Sequence, residues 1–312
     1  MKRDDPQRSH PLVPDGGVAP ASSPFVLERM LREAYILDGP GVQPDGRPGR
    51  DDLDDMTERA ALRDTPRERA QELAFQALEQ EDPELAARLA RQALELDPRC
   101  VDALALDALL GTADVHARIE RLDRAARTAE DQLGEEFFAE YIGDLWTEVV
   151  ARPYLRALRQ LAEALWDAGR RFDAVADYEN LLELDQPDRM GNAVVLLARY
   201  LEMGEVGRSR DLLDEYGDRD DALVQWAEAL VSFLEGDHGA AEAALARARR
   251  LNRGALPYLS GEAEPPLVVQ PHYTPGSPGE ADVIGQILAA AWSTHAAALL
   301  WLLSSEDEDG SG

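Results

Sequence analysis

Ala93-Leu94-Glu95-Leu96-Asp97-Pro98 closes a helical run and has a weaker echo at Leu181-Leu182-Glu183-Leu184-Asp185-Gln186-Pro187. Proline cannot continue a helical hydrogen-bond ladder, so each stretch reads as a helix end. Working back from Pro98, one helix is expected over 84–96, a break at Asp82-Pro83, and an earlier helix over 67–80. That earlier helix starts after Thr65-Pro66, where threonine supplies a cap and proline a first turn. Ala74, Ala86, Ala90 and Ala93 fall where two helices of a pair must approach closely. A helix–turn–helix unit of this size cannot bury a core alone, so the stretch predicts an all-α chain of stacked antiparallel pairs, an α-solenoid.

Further along, helices are expected over 101–110, 114–133, 154–168, 172–184, 193–203, 207–216, 222–234 and 240–251. Gly169, Gly204 and Gly236 separate members of the later pairs and stand 35 and 32 residues apart. Glycine suits a helix end because it enters the left-handed region without a Cβ clash. The spacing brackets a repeat of about 34 residues. Within residues 155–188, Leu161, Ala162, Leu165, Gly169, Ala174, Tyr178 and Leu181 follow one another in the order and approximate spacing of a tetratricopeptide repeat, which the chain resembles. Pro187 departs by one position, with Gln186 in the usual proline place. Residues 67–98 match through Ala86, Ala93 and Pro98 but lack the turn glycine. Four uneven units cover most of residues 67–252.

A narrower likeness rests on Arg152-Pro153-Tyr154-Leu155-Arg156-Ala157, on Tyr273-Thr274-Pro275-Gly276-Ser277, and on Glu280-Ala281 leading to Ala291-Trp292. These are similar to bacterial tetratricopeptide proteins of unassigned function, themselves distantly similar to the suppression-of-tumorigenicity-seven family. The resemblance implies an interaction protein without established chemistry.

Outside the regular part, residues 1–23 lack periodicity and are expected to be disordered. Residues 24–64 read as a short docking helix over 25–37 followed by a Gly/Pro/Asp-rich linker. Val26, Met30, Leu31 and Ala34 form the apolar stripe expected of that helix. The helical array is expected over 65–303, with an aromatic insertion near 135–152 carrying Phe137, Phe138, Tyr141, Ile142, Leu145 and Trp146. Residues 279–303 should cap the array as a helix or helix pair, packing on Trp226, Leu230 and Phe233. Residues 304–312 read as an acidic disordered tail.

The net charge of −29 argues against phosphate backbones and anionic lipid as partners, so no nucleic acid is expected. Cys100 is the only cysteine, so no intramolecular disulfide forms, and it reads as a small apolar residue. Lys2 is the sole lysine, a usage typical of a GC-rich bacterial genome. No signal peptide is visible after Met1-Lys2-Arg3, which points to the cytoplasm. Residues 283–303 carry no charge and are long enough to span a membrane. Gln286, Ser293, Thr294 and His295 interrupt them, favouring a buried terminal segment.

Catalytic constellations are thin. His10, His116, His238, His272 and His295 show no metal-ligand spacing, and there is neither a phosphate loop nor a nucleophile elbow. Around Asp218, Asp220 and Asp221 the glycine and closing glutamate of a calcium loop are not correctly placed, and the acidic runs Asp51–Asp55 and Glu306–Asp309 lack a turn scaffold, so all three read as solvated charge. The expectation is therefore a non-enzymatic protein, with no cofactor and no metal.

In such arrays the first helix of each pair lines the concave side. That register assigns Gln71, Phe75 and Leu78, and then Arg156, Arg159, Glu163 and Trp166, to a surface for a protein or peptide partner. Arg156 and Arg159 suit a carboxylate, and hence an acidic peptide, unless they pair with Glu163 or neighbouring acids. The lysine- and asparagine-rich carboxylate clamp of co-chaperone repeats is disfavoured, since only Asn180, Asn192 and Asn252 accompany Lys2. The alternative function is a sensor module holding a small molecule or signalling peptide against residues 137–146. A third reading, a hydrolase, would use the loop at His272.

Overall fold

The computed structural model describes residues 25–38, 64–217, 220–268 and 273–309. The expectations for residues 1–23, for the linker after residue 38 and for His272 lie outside these residues. The described residues are all-helical, and the chain divides between Pro187 and Asp188 into two compact units.

The first unit contains α1 (Phe25–Asp38), α2 (Pro66–Leu78), α3 (Pro83–Leu96), α4 (Val101–Leu110), α5 (Val115–Leu133), α6 (Glu135–Tyr141), α7 (Arg152–Asp167) and α8 (Arg171–Leu184). Three of them, α2, α3 and α5, start where the sequence supplies a side-chain cap. Thr65 accepts from the Glu68 amide ahead of Pro66, Asp82 from Glu84 ahead of Pro83, and Asp114 from Ala117. Successive helices from α2 to α5 pack on one another, as do α5 with α7 and α7 with α8. The alternate helices α2, α4 and α7 also touch, α2 on α4 and α4 on α7.

Alanine permits this close approach. Ala70, Ala74, Ala93 and Ala103 are wholly buried together with Cys100, and Ala77, Ala90 and Leu106 form an adjoining cluster. Burial pushes the Cys100 thiol up to about 12, in keeping with an inert apolar residue.

The aromatic segment after α5 is a short helix and a 3₁₀ turn (Leu145–Thr147). It folds back by two backbone bonds, the Gly143 amide donating to Leu184 and the Gln186 amide to Gly143. Its rings are half-buried: Phe137 lies against Tyr141 at 4.8 Å, and Phe138 meets Tyr154 edge-on at 5.3 Å. Leu145 is the wholly buried anchor.

The second unit contains α9 (Asn192–Met203), α10 (Val206–Tyr216), α11 (Ala222–Glu235), α12 (His238–Asn252), α13 (Leu256–Leu259), α14 (Pro278–Thr294) and α15 (Ala296–Asp309). Gly204 and Gly236 close α9 and α11 at φ 77° and 84°, the left-handed endings expected of them. The segment over 283–303 is bent by 114° at His295 into α14 and α15. No single helix among the described residues is long and apolar enough to cross a membrane.

Ala281, Ile284, Leu288, Ala291 and Trp292 recur at helical spacing on the buried side of α14. That helix packs on α11, which carries Trp226 and Leu230, and also on α9. Phe233 stacks on Trp301 of α15 at 4.8 Å, and His295 Nε2 lies 2.7 Å from the Leu201 carbonyl. The loop before α14 is tied down by Asn252, whose amide donates to the Ser277 carbonyl and to the buried Glu280 carboxylate.

Two measurements test this packing. A Cβ on Gly285 would come within 2.7–2.8 Å of the Tyr258 ring and Cβ, and the Tyr258 hydroxyl is held by Asp282. Gly285→Ala should therefore cost about 2 kcal/mol in urea denaturation. On α8, burial and then the charges of Asp173 and Asp123 push the Asp177 carboxyl up to about 6. A raised folded pKa makes the ionised carboxylate a destabilising group above pH 6, a penalty that fades as pH falls toward the unfolded value. Asp177→Asn should raise Tm more at pH 8 than at pH 5.5; an equal gain at both would contradict the burial argument.

Candidate functional site

The first unit gathers its buried charge on α2, α4 and α7, at the place where α1 lies. α1 presents one face to them: Phe25, Glu28, Arg29 and Arg32, at positions i, i+3, i+4 and i+7. This corrects the expectation of an apolar docking stripe for Val26 and Met30, which are 42% and 59% exposed, as is Leu27 at 58%; Leu31 is half-buried, the Ala34 side chain lies outside the described residues, and Glu28 and Arg32 are 5% and 8% exposed. The helix is held through its charged side because the surface opposite is charged.

Arg156 of α7 is the centre. Its Nε and Nη2 donate to Asp102 of α4 at 2.9 and 2.6 Å, and its Nη1 and Nη2 donate to Glu28 of α1 at 2.8 and 2.9 Å. One planar guanidinium thus grips two carboxylates, each at two points, as its fork geometry allows. Burial works against the guanidinium charge, but Asp102 and then Glu28 outweigh it, so its pKa rises above the ordinary arginine value. Gln71 of α2 donates to Asp102 at 2.7 Å and fixes that carboxylate from a third helix. Arg152 approaches Glu28 at 3.9 Å while lying over the Trp146 ring.

The other contacts run along α2. Arg29 donates to Glu72 at 2.8 Å and to Glu79 at 2.6 and 3.1 Å, and Arg32 grips Glu68 at 2.8 and 3.0 Å. The hydrogen bonds Arg29 donates to Glu79 chiefly raise its pKa, against the opposing effect of burial. Between these pairs Phe25 stacks on Phe75 at 5.3 Å, with the Arg29 guanidinium 5.1 Å from the Phe75 centroid and Arg156 5.6 Å from that of Phe25.

The residues assigned to a partner surface are thus distributed unevenly. Gln71, Phe75 and Arg156 come together, and they face the chain's own α1. Phe75 is 2% exposed and is covered. Arg159 pairs with Glu163 one turn away at 3.2 Å, and Trp166 lies under the Arg171 guanidinium at 5.1 Å. The acids that neutralise Arg156 are Asp102 and Glu28, not Glu163. Glu68, Glu72 and Glu79 form an acidic row facing α1, matched by Arg29 and Arg32. Sequence reasoning missed Glu28, Arg29, Arg32 and that row. The signal was present in two matching periodicities, 25/28/29/32 and 68/72/79.

Among the described residues no group of three or more His, Cys, Asp or Glu side chains is arranged to hold a metal ion. The chain matches no protein-family model, and no curated protein matches it.

Glu28→Gln in the full chain should weaken the seating of α1 by about 2 kcal/mol, since it leaves part of a buried ion pair unmatched. Amide exchange of α1 should accelerate while α2–α8 keep their protection. Unchanged exchange in α1 would show that Glu28 does not hold it.

Proposed function

We propose that this chain is a non-enzymatic binding scaffold built of tetratricopeptide-like helix pairs, and that the face of α2, α4 and α7 holds a helical segment of a protein or peptide partner. The observation that carries the reading is the direct engagement of α1 by α2 and α7 through paired charges and an aromatic stack, with Asp102 of α4 holding Arg156 from behind. A surface able to order a helix by matched, partly buried groups has the requirements of a specific helix-binding site. The contacts of α2 with α4, and of α4 with α7, support the array, because first helices of successive pairs adjoin in a solenoid of this class. On this reading α1 is an intrachain occupant of the partner's place.

The test opens the site in the full chain with Phe25→Ala, Glu28→Gln and Arg32→Gln together, after circular dichroism has shown the variant folded. A labelled peptide of residues 24–38 should then bind it saturably, and wild type much more weakly. Adding Phe75→Ala should weaken binding about tenfold, as expected for an interface aromatic. A folded, opened variant that does not bind the peptide would end this reading.

A further inference from the structure

The seat of α1 is selective in charge as well as shape, and the way it is filled specifies what else fits it. Three demands are written on the surface. The acidic row of Glu68, Glu72 and Glu79 needs positive charge along one side of an incoming helix. Arg156, already matched on one edge by Asp102, directs Nη1 and Nη2 donors at a carboxylate on the incoming helix. Phe75 needs a ring laid over it, at a position from which the Arg156 guanidinium is also within reach.

Because this rests on the reading of the face as a helix-binding site, it names the partner of that same site. The geometry points to an arginine-bearing helix with an aromatic residue at i, a carboxylate at i+3 and guanidiniums at i+4 and i+7 as the external partner. It binds by displacing α1 and not by docking on the apolar side that α1 shows to solvent. Arginine is specified over lysine, since Arg29 donates to both Glu72 and Glu79 and Arg32 meets Glu68 with two nitrogens, which a single ammonium cannot reproduce in one plane. The carboxylate at i+3 separates this helix from generic basic peptides. A helix that lacked it would leave two guanidinium donors of Arg156 unmatched in a buried site.

The outward residues Val26, Leu27 and Met30 make no demand on the seat, so the corresponding positions of the partner are free to vary. Competition with α1 sets the threshold. A tethered segment is present at an effective concentration on the order of millimolar, so an external helix must bind the open seat well below that value to displace it. Because the pairs at the rim are half-exposed, with Arg29 and Glu72 at 25% and 46%, binding should weaken with salt.

The experiment uses the opened full chain and four labelled peptides: residues 24–38 unchanged; Arg29→Glu with Arg32→Glu; Glu28→Arg; and Val26→Ser with Leu27→Ser and Met30→Ser. The unchanged and serine peptides should bind alike, and each charge-reversed peptide should lose on the order of 30-fold or more. A second arm keeps the test decisive if a peptide simply loses helicity. Glu68→Arg in the opened chain should regain affinity for a peptide carrying Arg32→Glu relative to the unchanged peptide. If no peptide binds, the helix-binding reading itself fails. If the unchanged peptide binds but charge reversal has no effect, or the serine peptide alone loses affinity, the reading stands and the partner chemistry argued here is overturned.

Discussion

The buried guanidinium of Arg156 sets the terms for the first unit. A charge removed from water costs several kcal/mol unless carboxylates meet it with good geometry. Two do, one from α4 and one from α1, and Gln71 of α2 holds the first in place. Four helices therefore converge on one side chain. The arrangement also explains why α1 is seated by its charged face. An apolar stripe laid over Asp102 and Arg156 would leave their remaining hydrogen-bonding capacity unmet, which costs more than leaving Val26, Leu27 and Met30 in water.

The second unit covers its corresponding helices differently. α14 lies on α9 and α11 through Ile284, Leu288, Ala291 and Trp292, all wholly or nearly wholly buried, with Trp226 and Leu230 also buried on α11. Apolar burial of this kind is dry, close-packed and insensitive to salt. The seat of α1 relies instead on ion pairs, buried around Arg156 and more exposed between Arg29 and Glu72. One covering is thus held by apolar burial and the other by matched charge.

Much of the helical layout was legible because its signals are local. Thr65-Pro66, Asp82-Pro83, Gly204 and Gly236 act through one or two turns of chain, and each marks a helix boundary in the structure. The covering of Trp226 and Leu230 was legible for a different reason, since a face that apolar does not stay wet. The candidate site was half legible. Register brought Phe75 and Arg156 forward, and Arg156 and Arg159 were expected to meet an outside carboxylate or to pair with Glu163 or neighbouring acids; Arg159 does pair with Glu163. The second carboxylate on Arg156 comes instead from Glu28, 128 residues earlier. No local rule connects those positions, and Glu28 is one of many acids in a chain of net charge −29.

By itself, the sequence determined the helical class, the helix boundaries set by caps and breakers, the alanine-lined seams, and the need to bury the apolar segment near the C-terminus. These follow from backbone geometry and side-chain volume, which act over a few residues. Tertiary structure alone decided which face of α1 turns inward, which acids neutralise Arg156, and that Phe75 is covered by a ring from the same chain. Those outcomes depend on desolvation and on charges brought together from distant positions, and both exist only once the helices have packed.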